Sequence, residues 1–255
     1  MKFWVIKKLD VIKVVVAVLV LAGCITGVGL TDAAKVFSNE SPREMPIHCV
    51  DTQDKVVSIS FDADWGTGNT RGILKTLQAY DICANFFVTG AWAEKYPEEL
   101  KELADSGHVE IGTLGTTYAN LPKLGQKQSE LEITTSLPMI KNGTEQKIEL
   151  FRAPYGAYSD RLLKTIAGLG LYPIQGSIDA TILQELSAYE CADRIVNSVK
   201  PGSIVLLHSD GKNTVEALPA VIQGLKNKGY SFKTIGDLIY KDNYTIDQTG
   251  KQTRR

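Results

Sequence analysis

Apolar residues along the chain follow two spacings. Short runs rich in β-branched and aromatic side chains alternate with longer stretches in which apolar residues return every three or four positions, the signature of βα units around a parallel sheet. The runs predict strands over residues 56–61, 85–88, 109–111, 150–152, 172–175, 203–207 and 231–233. The helical spacing predicts helices over 69–80, from Pro97 to a stop at Gly107, and over 127–141, 161–169 with Asp160 as N-cap, 188–199 and 215–228. Residues 46–50 and 56–61 flank Thr52-Gln53-Asp54 and predict a hairpin leading into the first barrel strand. About seven βα units without an internal repeat point to an α/β fold, a distorted (β/α)7 TIM-like barrel over residues 46–240. A chain of 255 residues suits one such domain. Residues 241–255 are expected as a flexible tail.

The first residues break this pattern. Lys2, Lys7, Lys8 and Lys13 precede an uncharged run over 14–31, close to the shortest length that spans a bilayer as a helix. The expectation is one N-terminal transmembrane helix, a signal anchor within residues 1–31, with the lysines in the cytoplasm. The domain then lies on the extracytoplasmic face of the cell membrane, behind a polar stalk over 32–45. Leu21-Ala22-Gly23-Cys24 offers a lipoprotein alternative in which Cys24 is lipidated, and a buried core helix is the third reading.

Composition narrows the class. A hydrophobic share of 44% and a charged share of 22% belong to a globular protein. Formal net charge is −1, and the body after residue 50 is mildly acidic, so no nucleic-acid partner is expected. Cys49, Cys83 and Cys191 are odd in number and lack CxxC spacing, which excludes a disulfide framework or a zinc ribbon. Cys83, just before the apolar residues 84–88, is expected as a buried structural thiol.

Three motifs stand where predicted strands end: Ser60-Phe61-Asp62-Ala63-Asp64-Trp65-Gly66, Arg152-Ala153-Pro154-Tyr155-Gly156 and Leu206-Leu207-His208-Ser209. Carboxylate, guanidinium and imidazole groups at separate strand ends suit a barrel-type hydrolase site, because strands hold side chains rigidly while loops admit substrate. A catalytic zinc takes about three protein ligands, usually with histidine among them. The chain has only His48, His108 and His208, far apart in sequence.

In this order the motifs resemble the polysaccharide deacetylase family, the NodB homology domain of carbohydrate esterase family 4, over roughly residues 46–240. Within it the resemblance is to the membrane-anchored sporulation-type branch, which also carries Phe-Asp-Ala-x-Trp-Gly as its first motif. The resemblance implies hydrolysis of N-acetyl groups on peptidoglycan or a chitin-like glycan, with N-acetylated cell-wall glycan as partner. It implies Asp62 as the base, Arg152 as the residue that orients it, His208 as the acid that protonates the leaving amine, and Asp179 as the carboxylate that tunes this histidine. Trp65, Tyr118, Tyr155 and Gly156 are the implied substrate-binding positions.

The departures from the family are equally specific. Its divalent metal, zinc, is held by a Gly-Asn-His-x-x-x-His motif, which here reads Gly112-Thr113-Leu114-Gly115-Thr116-Thr117-Tyr118. Leu114 and Tyr118 stand on the histidine positions and Ala63 on that of the metal aspartate, leaving Asp64 as the sole candidate ligand. No metal cofactor is therefore expected. After Asp179, Ile182 and Leu183 replace an Asp-Trp pair, which removes an aromatic wall from the acetyl pocket. Two functions follow: a slow deacetylase working through Asp62 and His208, or a pseudoenzyme that binds wall glycan or a wall-assembly partner.

Overall fold

A computed structural model describes residues 44–183 and 186–255, without the side chains of Ile182 and Leu183. The expected signal anchor, Cys24 and the stalk up to residue 43 lie outside the described residues, as does the expected loss of an aromatic wall at Ile182 and Leu183. Among the described residues, no helix is long and apolar enough to cross a membrane.

The strands are β1 (Cys49–Val50), β2 (Val56–Ala63), β3 (Ala84–Val88), β4 (Val109–Thr113), β5 (Leu150–Phe151), β6 (Tyr172–Pro173), β7 (Ile178–Asp179), β8 (Ser203–His208), β9 (Ser231–Phe232), β10 (Tyr244–Ile246) and β11 (Lys251–Arg254). The helices are α1 (Thr70–Ala79), α2 (Gly90–Lys95), α3 (Pro97–Asp105), α4 (Gln126–Lys141), α5 (Asp160–Gly168), α6 (Ala188–Ser198), α7 (Thr214–Asn227) and α8 (Ile235–Leu238). One sheet runs β10-β11-β1-β8-β2-β3-β4-β5-β6, with β7 against β8 and β9 against β2.

β2 organises the domain. Its sequence Val-Val-Ser-Ile-Ser-Phe-Asp-Ala alternates, and alternate side chains of a strand face opposite ways. Val57, Ile59, Phe61 and Ala63 join the large core shared with α1, α3, α6 and α7. Ser58, Ser60 and Asp62 take the other face, where Ser58 and Ser60 donate to the carbonyls of Lys233 and Val205. β2 pairs in parallel with β3 and β8, in a register that sets Asp62 beside Phe87 on one side and His208 on the other.

Several expectations are corrected by this architecture. The sheet curls as an open half-barrel rather than a closed (β/α)7 ring. β5, β6 and β7 hold two residues each, too few for a continuous ladder, and the edge at β6 is met by a single bridge from Ile174 to Ile47. β1 forms no hairpin with β2; it pairs antiparallel with β8 and parallel with β11. Residues 241–255 are no flexible tail, because β10 and β11 form an antiparallel pair that extends the sheet through β1. Ser159, not Asp160, caps α5, its side chain accepting from Leu162 N–H. Cys83 is half-buried, its Sγ 3.5 Å from the carbonyl of Phe232.

Candidate active site

At the C-terminal end of β2, Asp62 is buried against Arg152, which follows β5. Arg152 Nη1 donates to Asp62 Oδ1 at 2.6 Å, while Nη2 donates to Ser60 Oγ and to the carbonyl of Gln175, both at 2.8 Å. The guanidinium also stacks 4.0 Å from the ring centroid of Phe87. Arg152 thus meets Asp62 through one nitrogen, and its second locks the guanidinium in place. A planar guanidinium held on three sides and over an aromatic face fixes the direction of the carboxylate.

His208 ends β8 one strand away, opposite Asp62 in register. Ser209 N–H donates to the carbonyl of Asp62 at 2.9 Å, and Thr214 Oγ1 donates to that of His208 at 2.8 Å, so both strand ends are tied to each other and to α7. His208 Nδ1 lies 3.9 Å from Asp64 Oδ1 and 3.8 Å from Asp210 Oδ1, too far for hydrogen bonds. Asp179, expected beside this histidine, is turned elsewhere: its Oδ1 accepts from the backbone N–H and the hydroxyl of Thr181. The reason is local, since an aspartate readily bonds the backbone two residues ahead when a turn begins there.

Asp64 is the most perturbed acid of the cleft. Burial pushes its carboxyl up to about 6, Asp210 and Asp62 adding to the shift and His208 opposing it. Its side chain is only 4% exposed, and Oδ1 has no hydrogen-bond partner. Ala63 packs into the helix-side core while Asp62 and Asp64 flank it, as the two-residue alternation of a strand continued past its end requires.

The opposite wall is aromatic. Tyr118 and Tyr155 meet edge to face with ring centroids 5.1 Å apart, and Tyr118 lies 6.5 Å from the His208 ring. Both tyrosines adopt left-handed backbone, φ 61° and 62°, a conformation that costs about 1–3 kcal/mol in a side-chain-bearing residue and gathers at ligand sites. Glu132 of α4 holds the loop before Tyr118, accepting from Thr117 N–H and, at 2.7 Å, from Thr117 Oγ1. Trp65 and Tyr155 are exposed, 75% and 68%. Gly156 has φ 60°, and a Cβ there would lie 3.1 Å from Gln175 Nε2, so glycine lets the chain pass the residue that accepts from Arg152.

The family's metal positions carry no strong ligand. Leu114 is fully buried in the inner core, and the Tyr118 phenol is pushed well above its usual range, by burial first and by Asp62 and Asp64 next, which keeps it neutral. Donors converge at the ends of β2 and β8, however: Asp64, His208 and Asp210 place a ligand atom each within 4.8 Å of one another. The expectation of Asp64 alone undercounted this cluster. Asp210 was missed although it follows His208 by two residues, the same step that separates Asp62 from Asp64. Glu132, Ser60 and Gln175 carried no local signal, because their roles depend on long-range packing.

Comparison with known proteins agrees with the geometry. A polysaccharide deacetylase profile matches residues 50–174. The chain is 28% identical over 215 residues to the peptidoglycan-N-acetylmuramic acid deacetylase PdaA of Bacillus subtilis, covering 82% of this chain and 81% of PdaA. Among solved structures it resembles a carbohydrate esterase family 4 pseudoenzyme of Bacillus anthracis, with a TM-score of 0.73, 26% identity and coverage of 84% and 74%. A mutant of that pseudoenzyme with restored enzymatic activity matches with a TM-score of 0.73, 27% identity and the same coverage. With its inward row on β2, its Asp62–Arg152 pair and these likenesses, the chain belongs to the polysaccharide deacetylase family, of the NodB type.

Proposed function

We propose that the protein is a membrane-anchored, extracytoplasmic deacetylase of N-acetylated cell-wall glycan, with Asp62 as base and His208 as acid. The observation that carries this reading is the buried 2.6 Å pair of Arg152 and Asp62, set opposite His208 in the register of β2 and β8. Amide hydrolysis needs a base and an acid on one reacting centre, and neighbouring strands about 4.8 Å apart supply that spacing. Asp62 takes a proton from water as its oxygen adds to the acetyl carbonyl carbon. The C–N bond then breaks as His208 gives a proton to the departing nitrogen, leaving acetate and a free amine on the sugar. Arg152 keeps Asp62 aimed, and the carboxylates facing His208 Nδ1 are Asp64 and Asp210, in the place expected of Asp179. Tyr118, Tyr155 and the exposed Trp65 offer flat faces to sugar rings. A divalent metal, where a family member holds one, polarises the acetyl carbonyl. None of the steps above relies on it.

The test is acetate release from peptidoglycan by the detergent-solubilised full chain. Asp62→Asn is expected to lower the rate by at least about 100-fold, the size of a lost general base, with glycan binding retained. Equal rates for the two proteins overturn the assignment. The anchor is tested separately: protease added to intact cells is expected to digest the domain, and full protection contradicts the proposed side.

A second reading, a glycan-binding pseudoenzyme, is favoured by Leu114 and Tyr118 on the ligand positions and by the pseudoenzyme likeness. It is expected to bind glycan without releasing acetate.

A further inference from the structure

We propose that Asp64, His208 and Asp210 form a divalent-cation site on the β8 side of β2, whereas the family's histidine positions, Leu114 and Tyr118, follow β4 on the other side. Three carriers sit on rigid or tied backbone: Asp64 directly follows β2, His208 ends β8, and Asp210 belongs to the turn in which Gly211 N–H donates to the carbonyl of His208 at 3.2 Å. The distances favour an ion between them over direct contact. His208 Nδ1 lies 3.9 and 3.8 Å from the two carboxylate oxygens. These gaps exceed a hydrogen bond but fall below twice a bond of about 2.0–2.2 Å, so one ion reaches nitrogen and oxygen together.

The independent observation is Asp64 Oδ1. It is the atom facing His208, it is buried, and it has no partner of its own. A buried carboxylate oxygen without a donor is costly, and native structures keep few of them. A cation satisfies it. Asp210 is 47% exposed and supplies both the third ligand and the entrance from solvent. One imidazole nitrogen with two carboxylate oxygens suits zinc, cobalt or manganese, with further positions left open. The ligand nitrogen is Nδ1, and a His208 that holds the cation is a neutral imidazole with its one proton on Nε2, so bound cation and the acid role proposed for His208 exclude each other in the same molecule. The cation site stands on the cleft geometry and holds whether or not the glycan is deacetylated.

The test is cobalt binding to the untagged full chain after chelator treatment, read by visible absorption and by calorimetry. The wild type is expected to bind one Co²⁺ per chain with ligand-field bands of an imidazole–carboxylate site, and Asp64→Asn and Asp210→Asn each to weaken binding by at least about 10-fold. Asp179→Asn is expected to leave it unchanged. Circular dichroism and metal-free melting confirm that each variant is folded. Binding that is undetectable at millimolar cobalt, or equal in the wild type and both cleft variants, overturns the proposal. Because the readout is binding, a failure of deacetylation leaves this result intact, and the reverse also holds.

Discussion

Burying Asp64 beside Asp62 and Asp210 makes folding depend on pH through that one carboxyl. Its pKa is raised from 3.8 to about 6 in the folded protein. The sign follows from linkage: below about pH 4 both states carry the proton and burial is cheapest, while above about 6 the folded chain must hold a bare carboxylate. Asp64→Asn is therefore expected to stabilise the metal-free protein at pH 8 by roughly 1–3 kcal/mol, the gain shrinking through pH 6 and vanishing below about pH 4. Urea unfolding at pH 8, 6 and 4 measures it; a loss of stability at pH 8 contradicts the picture. The same change removes a proposed ligand, so gain in stability and loss of cobalt binding are expected together, as at sites where function is kept against folding. Arg152→Ala has the opposite sign, leaving Asp62 buried and unpaired, and is expected to cost about 3–5 kcal/mol. At this scale Asp62, Arg152 and His208 were legible because each ends an apolar run. Asp179 was placed by family resemblance, and its capping of Thr181 depends on a turn the pattern does not encode.

Between residues and fold, the elements transmit position. Gly112 of β4 lies under Phe87 of β3, and a Cβ there would meet the Phe87 ring at 2.6 Å. Phe87 in turn carries the Arg152 guanidinium. Gly112→Ala is expected to lower stability by about 1–3 kcal/mol through overpacking, and to lower acetate release because Arg152 shifts with its ring. Unfolding and activity measured on one preparation check both; unchanged activity breaks the link. β2 and β8 were legible from alternation and burial, since both faces of each are committed. The β10–β11 pair was not, because its buried member is Gln252, a polar residue in a polar segment. Gln252 Oε1 accepts from Tyr240 N–H at 2.9 Å and its Nε2 donates to Tyr240 O at 2.7 Å, imitating a strand neighbour. Gln252→Ala strands those two backbone groups and is expected to cost about 1–3 kcal/mol in chemical denaturation, whereas a truly frayed tail shows no change.

For the whole molecule, the alternation of strands and helices predicted an α/β fold, and the same pattern could not reveal that the ring stays open. Closure depends on how long each strand runs, and β5, β6 and β7 are cut short by prolines, turns and caps that periodicity ignores. The C-terminal ends of β2 and β8 lie beside an aromatic wall, with Tyr118 edge to face with Tyr155 and 6.5 Å from the His208 ring. On the proposed reading, a family member that has exchanged two histidine positions for Leu114 and Tyr118 keeps Asp62 and His208 as its proton-transfer groups, with Arg152 beside Asp62. That claim is tested most directly by following acetate set free from peptidoglycan by the wild-type full chain. Steady release that scales with protein concentration is the expected result; no acetate under any condition, from a protein that still binds the glycan, contradicts it.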